Sequence, residues 1–416
     1  MMLSVFTPTH RGGAWLLEAW RSLAAQTYQQ WQWVIVPNGG ADVPEDIAAD
    51  ARVRVVRYPD GAVVGVGALK RFATRWCTGN VLVELDDDDL LTPDCLAELA
   101  ATFADPTVHM AYSNTIEFED GSWEPHTYSE WYGWQTRPFE WEGHALRENV
   151  AWEPGPHSFR HIWWGPNHVR AWRAASYEAL GGHDASMAVA DDHDLSLRFY
   201  LAYGAAGIRH IDKPLYLYRV HGESTCKRRA GEIQQADATL YDRRILGIAQ
   251  RWARDNGLGV YDLGGGFDPA PGMTVVDRHN ADVVADLDGD WPIADGSAGV
   301  LRASHVFEHL RDPIHAMNEV YRCLAPGGFA FIEVPSTDGR GAWQDPTHVS
   351  FWNENSFAYY TRREYARYLP GFRGRFQVSL LRTVPLQSVT EVPVVQAHLI
   401  ALKPGYEERR AGEILI

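Results

Sequence analysis

Four consecutive carboxylates, Asp86-Asp87-Asp88-Asp89, stand directly after the apolar run Val81–Leu85. Charges so placed repel one another unless a cation lies among them or water solvates them. At the carboxyl end of a parallel strand they occupy the place where α/β sheets bind ligands. A divalent cation with oxygen ligands would there bridge carboxylate to diphosphate, as Mg²⁺ and Mn²⁺ do; a solvated acidic turn is the alternative. A second acidic run, Asp191-Asp192-His193-Asp194, offers either a general base or charges favourable at a helix N-terminus. A third candidate is the turn Gly264-Gly265-Gly266 after the apolar run from Val260, followed by Asp277. Glycine permits positive φ and close backbone approach, and a carboxylate in the position of Asp277 can accept both hydroxyls of a ribose. His348, in Asp345-Pro346-Thr347-His348-Val349, is a candidate base for a hydroxyl or a loop-ordering residue; His305 and His309 are further candidates.

The elements that position these groups follow from periodicity. Strand patterns at Leu3–Thr7, Trp33–Val36, Val53–Arg57 and Val81–Leu85 alternate with helical spacing at Ala14–Gln26 and Pro93–Phe103, predicting an α/β fold with a parallel sheet. Thr92 is the expected N-cap of the helix at Pro93. Residues 118–172 hold eight of the 17 tryptophans, read either as an aromatic-packed insertion or as an acceptor groove. Gly231–Arg254 has amphipathic spacing and stops at Asn256-Gly257, after which a new α/β pattern begins at Val260. The expected domains are therefore 1–230, a connecting helix 231–255, and 256–416.

Several segments occur in the order found in family 2 glycosyltransferases of GT-A fold, which the first 230 residues resemble. They are Ser4–Arg11, Ser22–Thr27, Leu85-Asp86-Asp87-Asp88-Asp89, Ala190–Arg198 and Tyr218-Arg219-Val220-His221. The resemblance implies a nucleotide-sugar site of Pro8, Thr9, Arg11, Asn38, Lys70, Arg71 and Asp86, with Asn38 where the family often has a base-contacting aspartate. It implies Asp88 and His221 as ligands of Mn²⁺ or Mg²⁺. Asp192, or alternatively its neighbour Asp191, is then the base in a single inverting displacement. Lys227-Arg228-Arg229 reads as a phosphate-covering lid or a solvated cluster. Residues 256–357 resemble a Rossmann-like class I methyltransferase that uses S-adenosylmethionine (SAM), on Val260–Gly266, Asp277, Asp282–Leu287, Ser304–Leu310 and Glu319–Gly328. That resemblance implies Gly264 and Gly266 beside the methionine part of SAM, Asp277 on its ribose, and Asp286 and Leu287 flanking adenine. Pro269 and Pro271 shorten the helix that usually follows the glycine turn.

Together these features predict a bifunctional enzyme that transfers a sugar from a nucleotide-sugar donor to a glycan-type acceptor and methylates a sugar hydroxyl. A glycosyltransferase with a non-catalytic methyltransferase-like module, and a phage-type DNA base modifier, are the alternatives. The net charge of −16 gives no basic footprint, which speaks against a nucleic-acid partner. Four dispersed cysteines without a CxxC pair argue against disulfides or zinc and fit a reducing cytoplasm, with peripheral membrane association as the variant. Neither a membrane-spanning segment nor a signal peptide is expected.

Overall fold

The protein is described by a computed structural model covering residues 1–59, 65–159, 167–386 and 389–406. The chain divides into two compact units, Met1–Ile245 and Leu246–Ile416. The division falls inside the long helix Ala230–Asp255, ten residues before the boundary expected at Asn256. The physical reason lies in the helix's last turns. Ala253 closes against Gly299, Trp252 meets Phe329 edge-on at 6.4 Å, and Arg254 donates to the carbonyl of Gly272.

The first unit is built on a sheet of eleven strands among the described residues. They are β1 (Leu3–Thr9), β2 (Trp31–Pro37), β3 (Val53–Val55), β4 (Val81–Glu84), β5 (Leu90–Leu91), β6 (Met110–Glu119), β7 (Pro125–His126), β8 (Thr136–Trp141), β9 (His144–Asn149), β10 (Arg170–Arg173) and β11 (Ile208–Val220). The main order is β3-β2-β1-β4-β10-β6-β11-β5. β1 lies parallel to β2 and β4, with Leu3 opposite Trp31 and Val81. β10 runs antiparallel between β4 and β6, and β11 is parallel to β6. The carboxyl ends of β1, β2, β4 and β11 therefore share one edge, which is where the acidic run and His221 emerge. Below that edge, Leu3, Val5, Trp33, Ile35, Val81 and Val83 pack with Leu16, Leu23, Leu96 and Leu99 of the covering helices Gly13–Ala24 and Cys95–Thr102. The second of these helices starts later than expected. Asp94, not Thr92, occupies its N-cap, because Thr92 Oγ1 donates to Asp94 Oδ1 (2.8 Å) across the Pro93 turn.

The aromatic segment forms the hairpin β8–β9 and a stacked ladder. Trp123 lies 4.3 Å from Phe118 and 4.7 Å from His144, and Trp134 packs against Tyr128 and Trp152. Trp131 is the one tryptophan of 118–172 that is widely exposed among the described residues (64%), while Trp163 and Trp164 lie outside them. Packing is thus the main work of these rings.

The second unit carries seven strands in the order β14-β13-β12-β15-β16-β18-β17. These are β12 (Gly259–Leu263), β13 (Thr274–Asp277), β14 (Val283–Val284), β15 (Ala298–Ser304), β16 (Leu324–Pro335), β17 (Phe376–Leu386) and β18 (Val389–Ala401). β12 to β16 are mutually parallel, and β18 and β17 close the sheet antiparallel. Its core gathers Leu263, Val276, Leu301, Ile332, Val395 and Leu399. No helix separates β12 from β13, as the two prolines there require.

Candidate active sites

Once folded, the four consecutive carboxylates of the first unit do four different things. Asp89 turns inward and is fully buried, accepting from the Arg219 backbone N–H (2.7 Å) and the Tyr216 hydroxyl (2.8 Å). Burial, with Asp88 and Asp86 nearby, holds its carboxyl well above the usual range. Asp87 accepts from Thr9 Oγ1 and so ties the end of β1 to the end of β4. Asp88 meets His221 Nε2 at 2.8 Å, and Arg11 stands 3.3 Å from the same oxygen. Asp86 is about a third exposed (35%). Burial raises its pKa to about 7, with Glu84 and Asp88 adding to the rise and Lys70 and Arg170 opposing it.

The Asp88–His221 pair fits a divalent cation by its donor chemistry. His221 Nδ1 accepts the backbone N–H of Glu223 (3.1 Å), and its ring stacks on Trp15 at 4.5 Å. Nε2 is thereby aimed at Asp88, and the proton shared there stands where a cation would sit between imidazole and carboxylate. Beside the pair, His10, Arg11, Gly39, Gly40, Asp42 and Pro44 line a cleft of about 620 Å³. Asn38 follows β2 directly before the lining residues Gly39 and Gly40, and its backbone N–H donates to the carbonyl of Thr9 (2.7 Å). Pro8 is partly buried in β1 opposite Val36.

Lys70 does not point into the cleft. Its side chain is 7% exposed, with Nζ 2.5 Å from Glu84 and 3.7 Å from Asp191. Burial works against its charge, but Asp191, Glu84, Asp86 and Asp192 outweigh that and raise its pKa. Arg71, the next residue, is half-buried in the last turn of the helix Val66–Thr74.

Glu84 is the hub of a network that reading from the sequence missed. It is fully buried and is met by Lys70 and by Arg170 Nε (3.1 Å). Arg170 arrives because β10 pairs antiparallel with β4, Ala171 opposite Val83. Its other nitrogen reaches Asp192 Oδ2 at 2.7 Å. His168, beside it, accepts from Arg170 (2.9 Å), and burial keeps its pKa near about 3, so its ring is neutral. A glutamate inside an otherwise apolar strand was the one signal available; Arg170 and His168 carried none.

The neighbours Asp191 and Asp192 begin the helix Asp191–Tyr203 and are sharply different. Asp191 has a 3%-exposed side chain facing Lys70 and His183, and burial raises its pKa to about 6. Asp192 is 26% exposed. Burial would raise its pKa as well, but Arg170 and Lys70 bring it down to about 2. Of the basic cluster, Lys227 pairs with Glu119 and Arg229 with Glu232.

In the second unit, Gly264 has φ +71°, and a Cβ there would lie 2.4 Å from Val306. A Cβ on Gly266 would lie 2.4 Å from the carbonyl of His279. The turn is thus a tight cradle that only glycine can form. Asp277 ends β13 and accepts from the Gly266 N–H (3.0 Å) and the His279 N–H (3.2 Å), which orients its carboxylate beside the cradle. Asp286 is exposed and paired with Arg278 (2.5 Å), while Leu287 is buried in the core. His348 lies in the loop after β16, its Nδ1 2.9 Å from the Ala342 carbonyl and its ring 4.9 Å from that of His309.

No helix among the described residues is long and apolar enough to cross a membrane. Residues 4–164 match the family model described as glycosyl transferase family 2, and residues 235–372 match one described as a methyltransferase domain. The chain is 27% identical over 241 residues to the O-antigen biosynthesis protein RfbC of Myxococcus xanthus, covering 55% of this chain and 17% of the relative. It is 26% identical over 231 residues to the putative glycosyltransferase EpsH of Bacillus subtilis, covering 53% and 61% respectively, so it spans less than two thirds of either relative. Among solved structures, S. aureus TarS 1-349 in complex with UDP-GlcNAc aligns with a TM-score of 0.45 at 15% identity, covering 65% of this chain and 77% of that one. The chain thus carries a family 2 glycosyltransferase domain followed by a class I methyltransferase domain.

Proposed function

We propose that the first unit transfers a sugar, with inversion and with the help of a divalent cation, from a nucleotide-sugar donor to a glycan-type acceptor, and that the second unit methylates a sugar hydroxyl with SAM. The observation that carries the first half is the pairing of Asp88 with His221 at 2.8 Å on the edge that also presents an accessible, ionised Asp192. A cation bound by Asp88 and His221 supplies positive charge to the departing nucleoside diphosphate. Arg11 stands beside it to meet the same phosphates, and Asn38, next to the cleft residues Gly39 and Gly40, would meet the base. Asp86 accepts a hydroxyl of the ribose or the sugar.

Asp192 takes the acceptor's proton. Its carboxylate is anchored by Arg170, which Glu84 and Lys70 in turn hold in place. Asp192 is ionised at neutral pH and so ready to accept the proton, which the acceptor oxygen gives up more easily as it bonds to the anomeric carbon. Attack from the face opposite the leaving group inverts that carbon. Asp191, buried beside Lys70, is better placed to position the network than to reach substrate.

In the second unit, bound SAM supplies an electrophilic methyl group. The Gly264–Gly266 turn admits it, Asp277 accepts its ribose hydroxyls, and the His348 loop is where the acceptor hydroxyl is activated. The name of the RfbC relative, an O-antigen biosynthesis protein, supports a bacterial polysaccharide as the setting of the sugar transfer. A thermal-shift screen of nucleotide sugars with and without Mn²⁺, and separately with SAM, tests the proposal, because a specific ligand stabilises by mass action. Stabilisation by a nucleotide sugar that needs Mn²⁺, and by SAM without it, is the expected result. Mn²⁺-independent stabilisation would remove the cation from the account.

A further inference from the structure

Three side chains of the second unit that resembled no ligand set in the sequence converge at the carboxyl ends of β15 and β16. Glu308, His309 and His348 each place a ligand atom within 4.8 Å of the others. Glu308 and His309 lie on the short turn that follows β15, and His348 on the loop that follows β16. The two loops are stitched together: the Glu308 carbonyl accepts the N–H groups of Val349 (2.8 Å) and Ser350 (3.0 Å), and Ser350 Oγ donates to the carbonyl of Phe307 (2.7 Å). The meeting of the three is therefore fixed by backbone.

Each imidazole is oriented by its Nδ1. His348 Nδ1–H donates to the Ala342 carbonyl at 2.9 Å. His309 Nδ1–H donates to Thr347 Oγ1 at 3.1 Å, and that hydroxyl in turn donates a hydrogen bond to Asp345 Oδ1 at 2.7 Å. Both Nε2 atoms are left with lone pairs, as in imidazoles that bind metals while a carbonyl or carboxylate chain holds the other nitrogen. Glu308 is 2% exposed; His305 Nδ1 pairs with Oε1 at 3.4 Å, and Oε2 accepts no hydrogen bond from a described group. A buried carboxylate with one oxygen unmet, facing two imidazoles, has a place for a cation.

We infer that Glu308, His309 and His348 form a site for a divalent transition-metal ion of borderline softness, such as Zn²⁺, Co²⁺ or Mn²⁺. Two nitrogens and one carboxylate oxygen suit such an ion and leave a coordination position open. The site lies next to the glycine cradle, since Val306, two residues before Glu308, closes on Gly264. Resting on the methyl-transfer reading above, its role is to bind the acceptor hydroxyl at the open position. The hydroxyl loses its proton to water. Its oxygen pair then forms the bond to the SAM methyl carbon, and the bond from that carbon to sulfur breaks with its electrons going to sulfur. His348 then acts through the metal, as a ligand, and not as the proton acceptor itself.

The test is Co²⁺ titration of the full chain followed by visible absorption, with bound metal counted after gel filtration and SAM affinity measured on the same samples. His309→Gln, at a partly exposed position, and Glu308→Gln should each lose one equivalent of tightly held metal and its absorption bands, with metal affinity down at least about tenfold and SAM affinity unchanged. The equivalent bound at Asp88 and His221 should remain in both. Variants that hold as much Co²⁺, with the same spectrum, as the unsubstituted chain would overturn the site. Loss of the equivalent in both variants, in a chain that never binds SAM, would uphold the metal site and refute the methyltransferase reading.

Discussion

At the scale of single residues, the account turns on two adjacent aspartates that the fold treats oppositely. Asp192 is partly exposed and kept ionised by Arg170, whereas Asp191 is enclosed with Lys70. Asp192→Asn should preserve donor binding and lower turnover by about 10²–10⁴-fold, because Asn matches the shape but accepts no proton. Steady-state kinetics at saturating donor would check it, and a variant with normal kcat would move the base elsewhere. The pH profile distinguishes the two candidates independently. A base works ionised, so activity is lost as pH falls through its pKa. Asp86, raised to about 7, takes up one proton between about pH 8 and 5 in either case; with Asp192, down at about 2, kcat falls there with that one proton alone, whereas with Asp191, raised to about 6, it falls with two and the profile is steeper. The sequence displayed both aspartates and the Asp86–Asp89 run, since clustered carboxylates after an apolar strand are visible as a pattern. It did not display which of them the fold buries. Nor did it display Arg170, whose meeting with Asp192 depends on an antiparallel pairing between strands more than 80 residues apart.

At the scale of elements, β4 and the long helix carry the arrangement. Glu84 at the end of β4 neutralises two buried cations, and Glu84→Gln leaves Lys70 and Arg170 to compete for Asp191 and Asp192. Removing one partner from such a buried set should cost about 3 kcal/mol or more, read as a lower urea midpoint for the first unit's transition. An unchanged midpoint would mean that the network contributes little. The helix Ala230–Asp255 was legible as a helix from its apolar spacing, within a residue at each end. Its role as part of the second unit was not, because a helix's own pattern does not say which core its last turns enter. Trp252, Ala253 and Arg254 all engage groups of that unit, and burying apolar side chains of this kind contributes about 1.5–3 kcal/mol each for the larger ones. A fragment 246–416 should therefore melt cooperatively, and a fragment 256–416 should melt lower or aggregate. Equal melting temperatures would show that the helix end is dispensable to that core.

At the scale of the whole molecule, two sets of chemical groups stand on the carboxyl edges of two separate sheets, each complete within its own compact unit. That organisation was readable from the two runs of motifs in order, because each run recurs within one unbroken stretch of α/β pattern. The metal-ligating trio of the second unit was not readable, since Glu308 and His348 lie forty residues apart and meet only through the pairing of their loops. Residues that share no contact and lie in different cores should vary independently, so Asp88→Ala and Asp277→Ala should each silence one ligand and spare the other. The most direct measurement is calorimetric titration of the full chain with a nucleoside diphosphate in Mn²⁺ and, separately, with SAM, repeated on both variants. The account predicts that Asp88→Ala loses the nucleotide and keeps SAM, and that Asp277→Ala binds SAM about 10–100-fold more weakly and keeps the nucleotide. An unsubstituted chain that binds nucleotide equally well with the cation chelated, or that fails to bind SAM at all, would contradict it.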